Sequence, residues 1–101
     1  MGQVNVVATV RVRTDAAAEF EALVARTRPL MLADAGCLRY DLQQRRDEPG
    51  TYVMWESYDS SDALRRHGGS PEFADFGRAL APLLAGEPEI VLLAPVGDQV
   101  D

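Results

Sequence analysis

The sequence contains no lysine. A Schiff-base enzyme and a Walker-type phosphate loop both depend on that amine, so both are excluded. Cysteine occurs once, at Cys37, which rules out an internal disulfide and a cysteine-based zinc site. Histidine also occurs once, at His67. An all-protein metal site would therefore rest on carboxylates, and none stand at an ordered ligand spacing, so no metal or other cofactor is expected. Positive charge is sparse: 10 basic residues, all arginine, face 16 Asp and Glu, for a net charge of −6. Nucleic-acid binding without sequence preference needs a basic face, and this balance argues against it. No apolar run approaches the roughly 18 residues of a membrane span. The start, Met1-Gly2-Gln3-Val4, has neither the basic opening nor the apolar core of a secretion signal. The expectation is a cytoplasmic protein with neither nucleic-acid nor membrane partners.

What is present suits one small globular domain. A chain of 101 residues is too short for two cores, and 47% hydrophobic against 26% charged residues is an ordinary soluble mix. We take 1–101 as one domain with its core in 4–96 and a fraying polar tail at 97–101. From Val4 to Arg13 the pattern alternates, with Val4, Val6, Ala8, Val10 and Val12 on one side, which predicts a strand. Thr14 or Asp15 then offers a helix cap. Phe20, Leu23, Val24, Thr27, Leu30 and Met31 form a helical stripe within Ala16 to about Ala33. Pro29 predicts a kink or break near Arg28, and Gly36 marks the helix end.

A second strand, Cys37 to about Arg46, places Leu38, Tyr40 and Leu42 on one side. The turn residues 47–50 join it to a third strand, Thr51 to Tyr58, as an antiparallel hairpin. A short helix, Asp62 to His67, follows, with caps available at 59–62. Ser70-Pro71-Glu72 opens another helix, whose stripe is Phe73, Phe76, Leu80, Leu83 and Leu84 and which Pro82 divides. Ile90 to Val96 is the last strand. The order predicts an α+β, ferredoxin-like split βαβ fold, a four-stranded antiparallel sheet with helices on one face. The other face still carries Val7, Val91, Leu93 and several of Tyr52, Val53, Met54 and Trp55. A solvated face would read more polar, so a second sheet is expected against it, most simply in a homodimer.

Three segments in this order carry a resemblance. Ala35-Gly36-Cys37-Leu38-Arg39-Tyr40-Asp41-Leu42 is similar to the "e-G-c-l-x-y-x-l" opening of a second strand. Tyr52-Val53-Met54-Trp55-Glu56-Ser57-Tyr58 is similar to the strand that follows it. Ala63-Leu64-Arg65-Arg66-His67 with Ser70-Pro71-Glu72-Phe73 resembles the "A-L-x-x-H-x-x-s-p-x-f" block. Together they resemble the antibiotic biosynthesis monooxygenase family, a branch of the dimeric α/β barrels, over essentially Val4 to Val96. The resemblance implies a homodimer whose sheets close into a barrel and a small pocket between sheet and helices in each subunit. Members oxidise anthrones or quinols without metal, flavin or haem; others degrade haem, and others isomerise or bind small carbonyl compounds. The haem-degrading branch has a Trp at the position of His67, a His near Gly77 and an Asn near Ala8. None of the three matches here.

His67 is the acid–base candidate, because its ordinary pKa lies near neutrality. The alternative is a helix-end histidine that bonds the last carbonyls. Glu56 lies on the side of Tyr52, Met54 and Tyr58, where a carboxylate must be paired, protonated or near an edge. It could hold His67 or act as a base. The structural role we prefer is a salt bridge to Arg39 or across the dimer. Tyr58 ends its strand just before the helix that carries His67, so it joins the catalytic candidates. Trp55 and Tyr40 are wall candidates for a planar substrate, and Asn5 could hydrogen-bond a carbonyl or hydroxyl. Arg65, Arg66 and Arg78 could attract an anion, although solvated helix arginines are the ordinary reading. Cys37 reads as a buried inert thiol. The expected activity is a cofactor-independent monooxygenase acting on a small aromatic, anthrone or quinol compound. The alternatives are an isomerase acting next to a carbonyl and a non-catalytic dimeric binding or stress protein.

Overall fold

The computed structural model describes residues 2–100; Met1 and Asp101, the outer ends of the expected start and tail, lie outside the described residues. The elements run β1 (Val4–Arg11), α1 (Ala17–Leu32), β2 (Cys37–Gln44), β3 (Thr51–Tyr58), α2 (Ser61–Gly68), α3 (Pro71–Leu80), a 3-10 turn (Ala81–Leu83) and β4 (Glu89–Leu93). The sheet order is β2-β3-β1-β4 with every pairing antiparallel. This is the α+β ferredoxin-like arrangement. Val6, Val10, Tyr40, Tyr52, Met54 and Tyr58 enter the core from the sheet. Phe20, Leu23, Val24 and Met31 meet them from α1. Among the described residues, no helix is long and apolar enough to cross a membrane.

Several boundaries differ from those expected, each for a local reason. β1 stops at Arg11 because the next two N–H groups leave the ladder: Val12 donates to the Gly50 carbonyl at 2.8 Å and Arg13 to that of Leu83 at 2.9 Å. β2 ends at Gln44, where Arg45 N–H turns to the Thr51 carbonyl at 2.9 Å. β4 ends at Leu93, opposite Asn5, and Pro95 beyond it has no N–H to offer. Neither Thr14 nor Asp15 caps α1. The cap position is Ala16, without a side-chain bond, and Asp15 pairs with Arg13 instead.

Pro29 does not break α1, which runs on to Leu32. Only its last turn follows the proline, so one hydrogen bond is lost. Arg28 ties that end to β2, its Nε donating to the Tyr40 carbonyl at 2.8 Å and its Nη2 to Asp41 at 2.9 Å. Gly36 is not the helix end, and its φ is not positive. Its role is close packing: a Cβ there would lie 2.6 Å from Ala63 Cβ and 2.8 Å from Arg66 Nη2.

A register shift in β2 re-aims one residue. Cys37 lies opposite Tyr58 and Arg39 opposite Ser57, which leaves Leu38 without a partner. Leu38 therefore turns outward, 53% exposed, while Cys37, Tyr40 and Leu42 face the helices. The expected grouping of Leu38 with Tyr40 and Leu42 is corrected accordingly. On β3 the helix side takes Tyr52, Met54, Glu56 and Tyr58, and the open side keeps Val53, Trp55 and Ser57. Val7, Val91 and Leu93 share that open side, by the pairings of Trp55 with Val7, Val7 with Val91, and Asn5 with Leu93.

Candidate active site

His67 occupies the last turn of α2. Ser60 starts that helix, its Oγ accepting from Ala63 N–H at 3.1 Å. Ser70 fixes its far end: the Ser70 hydroxyl donates to the His67 carbonyl at 2.9 Å and accepts from Phe73 N–H at 3.1 Å. One serine thus anchors the backbone of His67 and caps α3. The imidazole does not reach for helix-end carbonyls. It turns inward, 9% exposed, among Phe73, Tyr58 and Tyr40, with ring centres 4.7, 5.2 and 5.7 Å away.

Glu56 approaches from the sheet. Its Oε1 accepts from the Tyr58 hydroxyl at 2.6 Å and lies 3.9 Å from His67 Nε2. Tyr40 is its direct cross-strand neighbour. Glu56, His67 and Tyr40 line a cavity of about 320 Å³ between helices and sheet. Val6, Met54, Leu64, Phe76, Ile90 and Leu92 are among its apolar walls, and His67, Glu56 and Tyr40 are its ionisable members. The Tyr40 hydroxyl, Glu56 Oε2 and the His67 ring nitrogens have no hydrogen-bond partner among the described residues. No fully buried side-chain nitrogen or oxygen there lacks one, so these atoms open onto free space. The result is a greasy pocket with one polar end.

The charges at that end are set by burial. Burial pulls the His67 pKa below its ordinary value, against a weaker opposing pull from Asp34. Burial pushes the Glu56 carboxyl up, and the Tyr58 hydroxyl partly offsets this. Burial, followed by the Glu56 charge, raises Tyr58 and Tyr40, so both phenols remain donors. The arrangement offers a neutral imidazole able to take a proton, a carboxylate close enough to steady the resulting cation, and a phenol to hydrogen-bond a ligand oxygen. Among the described residues, no three His, Cys, Asp or Glu side chains converge as metal donors.

A family model described as antibiotic biosynthesis monooxygenase matches residues 3–79. The chain belongs to that family. Rv0793 of Mycobacterium tuberculosis, provisionally named a monooxygenase, is 33% identical over 95 residues, covering 94% of this chain and 93% of that protein. A structure from Caulobacter crescentus CB15 that bears the family's name is 41% identical with a TM-score of 0.91, covering 94% of this chain and 91% of the other. A variant of SnoaB, a cofactor-independent oxygenase from Streptomyces nogalater, is 29% identical with a TM-score of 0.85, covering 99% and 98%.

Of the residues singled out in the sequence, His67, Glu56, Tyr58 and Tyr40 come together. Tyr58 is fully buried and does not line the cavity of about 320 Å³; its hydroxyl bonds Glu56. Trp55 and Asn5 do not join them. They lie on the open face, in a groove with Leu38, Arg39 and Ser57, because strand alternation sends odd-numbered β3 residues away from the helices. The expected Glu56–Arg39 salt bridge is absent: Arg39 shares that open face and pairs with Asp41 at 3.0 Å. Arg65, Arg66 and Arg78 are spent on Asp62, Asp34 and Asp75 respectively. Cys37 is buried beside a smaller cavity of about 270 Å³ on the far side of His67, and burial raises its thiol pKa. Sequence reasoning missed Ser70 as the anchor of His67, although the Ser-Pro-Glu helix start was its signal. It also missed the cavity walls Met54 and Leu64, which have no signal beyond hydrophobicity.

Proposed function

We propose that this protein is a cofactor-independent monooxygenase of small aromatic compounds of the anthrone or quinol type, with substrate held in the helix-side cavity. The observation that carries the reading is the placement of His67, Glu56 and Tyr40 at one end of an otherwise apolar pocket. His67 takes a proton from an acidic C–H or O–H of the substrate. Glu56, positioned by Tyr58, steadies the imidazolium, and Tyr40 donates to the substrate oxygen. The delocalised substrate anion supplies the electrons for reducing O2. For a methylene flanked by aromatic rings, a C–O bond forms and the O–O bond then breaks. Both C–H hydrogens leave with one oxygen atom as water, and the carbon becomes a carbonyl. Ile90 and Leu92 are each 60% exposed along this cavity, so the substrate itself must cover them to keep bulk water from quenching the anion. Membership in a family with a cofactor-independent oxygenase among its similar structures supports this chemistry.

The same residues could shift a proton next to a carbonyl without oxygen, so the decisive assay separates the two. Anthrones and quinols are supplied to the purified protein in air, and oxygen uptake is followed for the unaltered protein and for His67→Ala. Uptake that the substitution abolishes is the expected result. Turnover that persists under strict anoxia points to the isomerase, and no uptake across a broad panel removes the oxygenase.

We propose further that the protein works as a homodimer through its open sheet face. Val91 is 52% exposed and Trp55 and Leu93 are each 41% exposed there, beside Val7 and Val53. Such a contiguous apolar area is typical of an interaction surface.

A further inference from the structure

We infer that Gly77, together with Gly68, sets the size of ligand that the helix-side cavity admits; the inference rests on that cavity being the substrate site. The cavity face of α3 follows helical spacing through Phe73, Phe76, Gly77 and Leu80, and all four line the cavity. Three positions of this stripe carry large side chains, and the fourth carries none. A Cβ built at Gly77 meets nothing within 4 Å, and its φ is not in the left-handed region. Neither packing nor backbone geometry calls for glycine there, and within a helix glycine is a weakening residue compared with alanine. Gly36 is the contrast, since a Cβ there collides with its neighbours.

Gly68, the last residue of α2 and next to His67, repeats the Gly77 pattern. It lines the cavity, and a Cβ on it meets nothing within 4 Å. Both glycines are exposed, so they leave the cavity's rim open on the α2 and α3 sides, Gly68 beside His67. Space not used by the protein's own side chains is available to a ligand. A ligand of several fused rings reaches that rim, whereas a single ring held at the polar end does not.

The test measures, by titration calorimetry under anoxia, the affinities of phenol and of 2-hydroxyanthracene for the unaltered protein, Gly77→Ala and Gly77→Leu. Gly77→Ala is expected to raise Tm by about 2 to 8 °C through helix propensity. Gly77→Leu is expected to weaken the three-ring ligand about tenfold or more while changing phenol less than about threefold. Gly77→Ala moves the affinity ratio the same way by about threefold, which keeps the test decisive if the leucine variant fails to fold. An unchanged ratio in folded variants overturns the inference and leaves the substrate site standing. Failure of the unaltered protein to bind either ligand removes the site itself, and the inference with it.

Discussion

Replacing Tyr58 by Phe tests the coupling at the polar end of the cavity. Tyr58 is completely buried, and its hydroxyl donates to Glu56 Oε1 at 2.6 Å. The substitution removes one oxygen and keeps the ring, so any packing loss is small. What changes is the environment of a carboxylate that is only 7% exposed. A hydrogen bond to a charged group contributes about 1.5–3 kcal/mol, and a neutral one about 0.5–1.5 kcal/mol. The cost of Tyr58→Phe therefore depends on whether Glu56 is ionised.

The sign follows from linkage. Burial raises the folded pKa of Glu56 above 4.5. As pH climbs from there through the folded pKa, the unfolded chain releases its proton first, and Glu56 draws stability down. The Tyr58 hydroxyl limits that decline by favouring the anion. Without it the folded pKa rises further and the decline steepens. His67 has the opposite sense, because burial lowers its pKa and stability falls as pH drops below 6.5. That contribution is common to both proteins and largely cancels in their difference.

Urea unfolding, followed through the single tryptophan Trp55 at fixed protein concentration, should show the destabilisation growing from about 0.5–1.5 kcal/mol at pH 4 to about 1.5–3 kcal/mol above the Glu56 pKa. Glu56→Gln keeps an acceptor and removes the charge. In that background Tyr58→Phe should cost about 0.5–1.5 kcal/mol at every pH. A loss that is the same at all pH values in the native background, or larger in acid, refutes the reasoning.

Gly36→Ala should lose about 1–3 kcal/mol, because its Cβ would sit 2.6 Å from Ala63 Cβ; wild-type stability in the same urea titration would show that the helix–loop contact gives way freely. Ser70→Ala removes the hydroxyl's bond to the His67 carbonyl and the cap of α3, while the Ser70 N–H still donates to that carbonyl at 3.2 Å, and should cost about 1 kcal/mol. Its kcat should fall with it, since the His67 carbonyl loses one of the two bonds that residue 70 makes to it, and an unchanged kcat would deny the Ser70 hydroxyl that positioning role. With an active substrate, kcat/KM should rise with pH to a plateau with its midpoint below 6.5, as burial of His67 requires; a midpoint above 6.5 contradicts a desolvated imidazole. Trp55→Asp with Leu93→Asp should turn a dimer into monomers in light scattering, whereas an unaltered protein already monomeric at micromolar concentration ends the homodimer proposal.

The architecture was legible because hydrophobic period and turn chemistry agree along most of the chain. The alternation of β1, the Asp-Glu-Pro-Gly turn and the capped starts of α2 and α3 each specify their element locally, and the order of elements then selects the fold. The misreadings are of another kind. Pro29 breaks a helix on its own, but a buried stripe across it and the Arg28 contacts to β2 override that tendency. Gly36 reads as a helix stop by propensity, yet its reason is a contact with Ala63, 27 positions away in sequence. Such partners are invisible until the chain is folded.

The site divides along the same line. His67, Glu56, Tyr58 and Tyr40 could be picked out because each is a chemically capable residue in otherwise apolar surroundings. Which of them meet depends on how one strand slides past the next. The sequence alone pairs Glu56 naturally with Arg39, the only nearby cation on β2. A single register shift at Leu38 and the pairing of Tyr40 with Glu56 put that arginine on the opposite face. Glu56 is left with a phenol and an imidazole instead of a guanidinium. The consequence is chemical. A buried carboxylate locked to arginine is a strut, held ionised with its oxygens occupied. A carboxylate whose Oε1 accepts from Tyr58 and lies 3.9 Å from His67 Nε2, with Oε2 unbonded, carries no such lock, and this is the arrangement the proposed proton transfer draws on. The same alternation removes Trp55 and Asn5 from the pocket and gives them to the open sheet face, so residues that read as one cluster in sequence serve two surfaces.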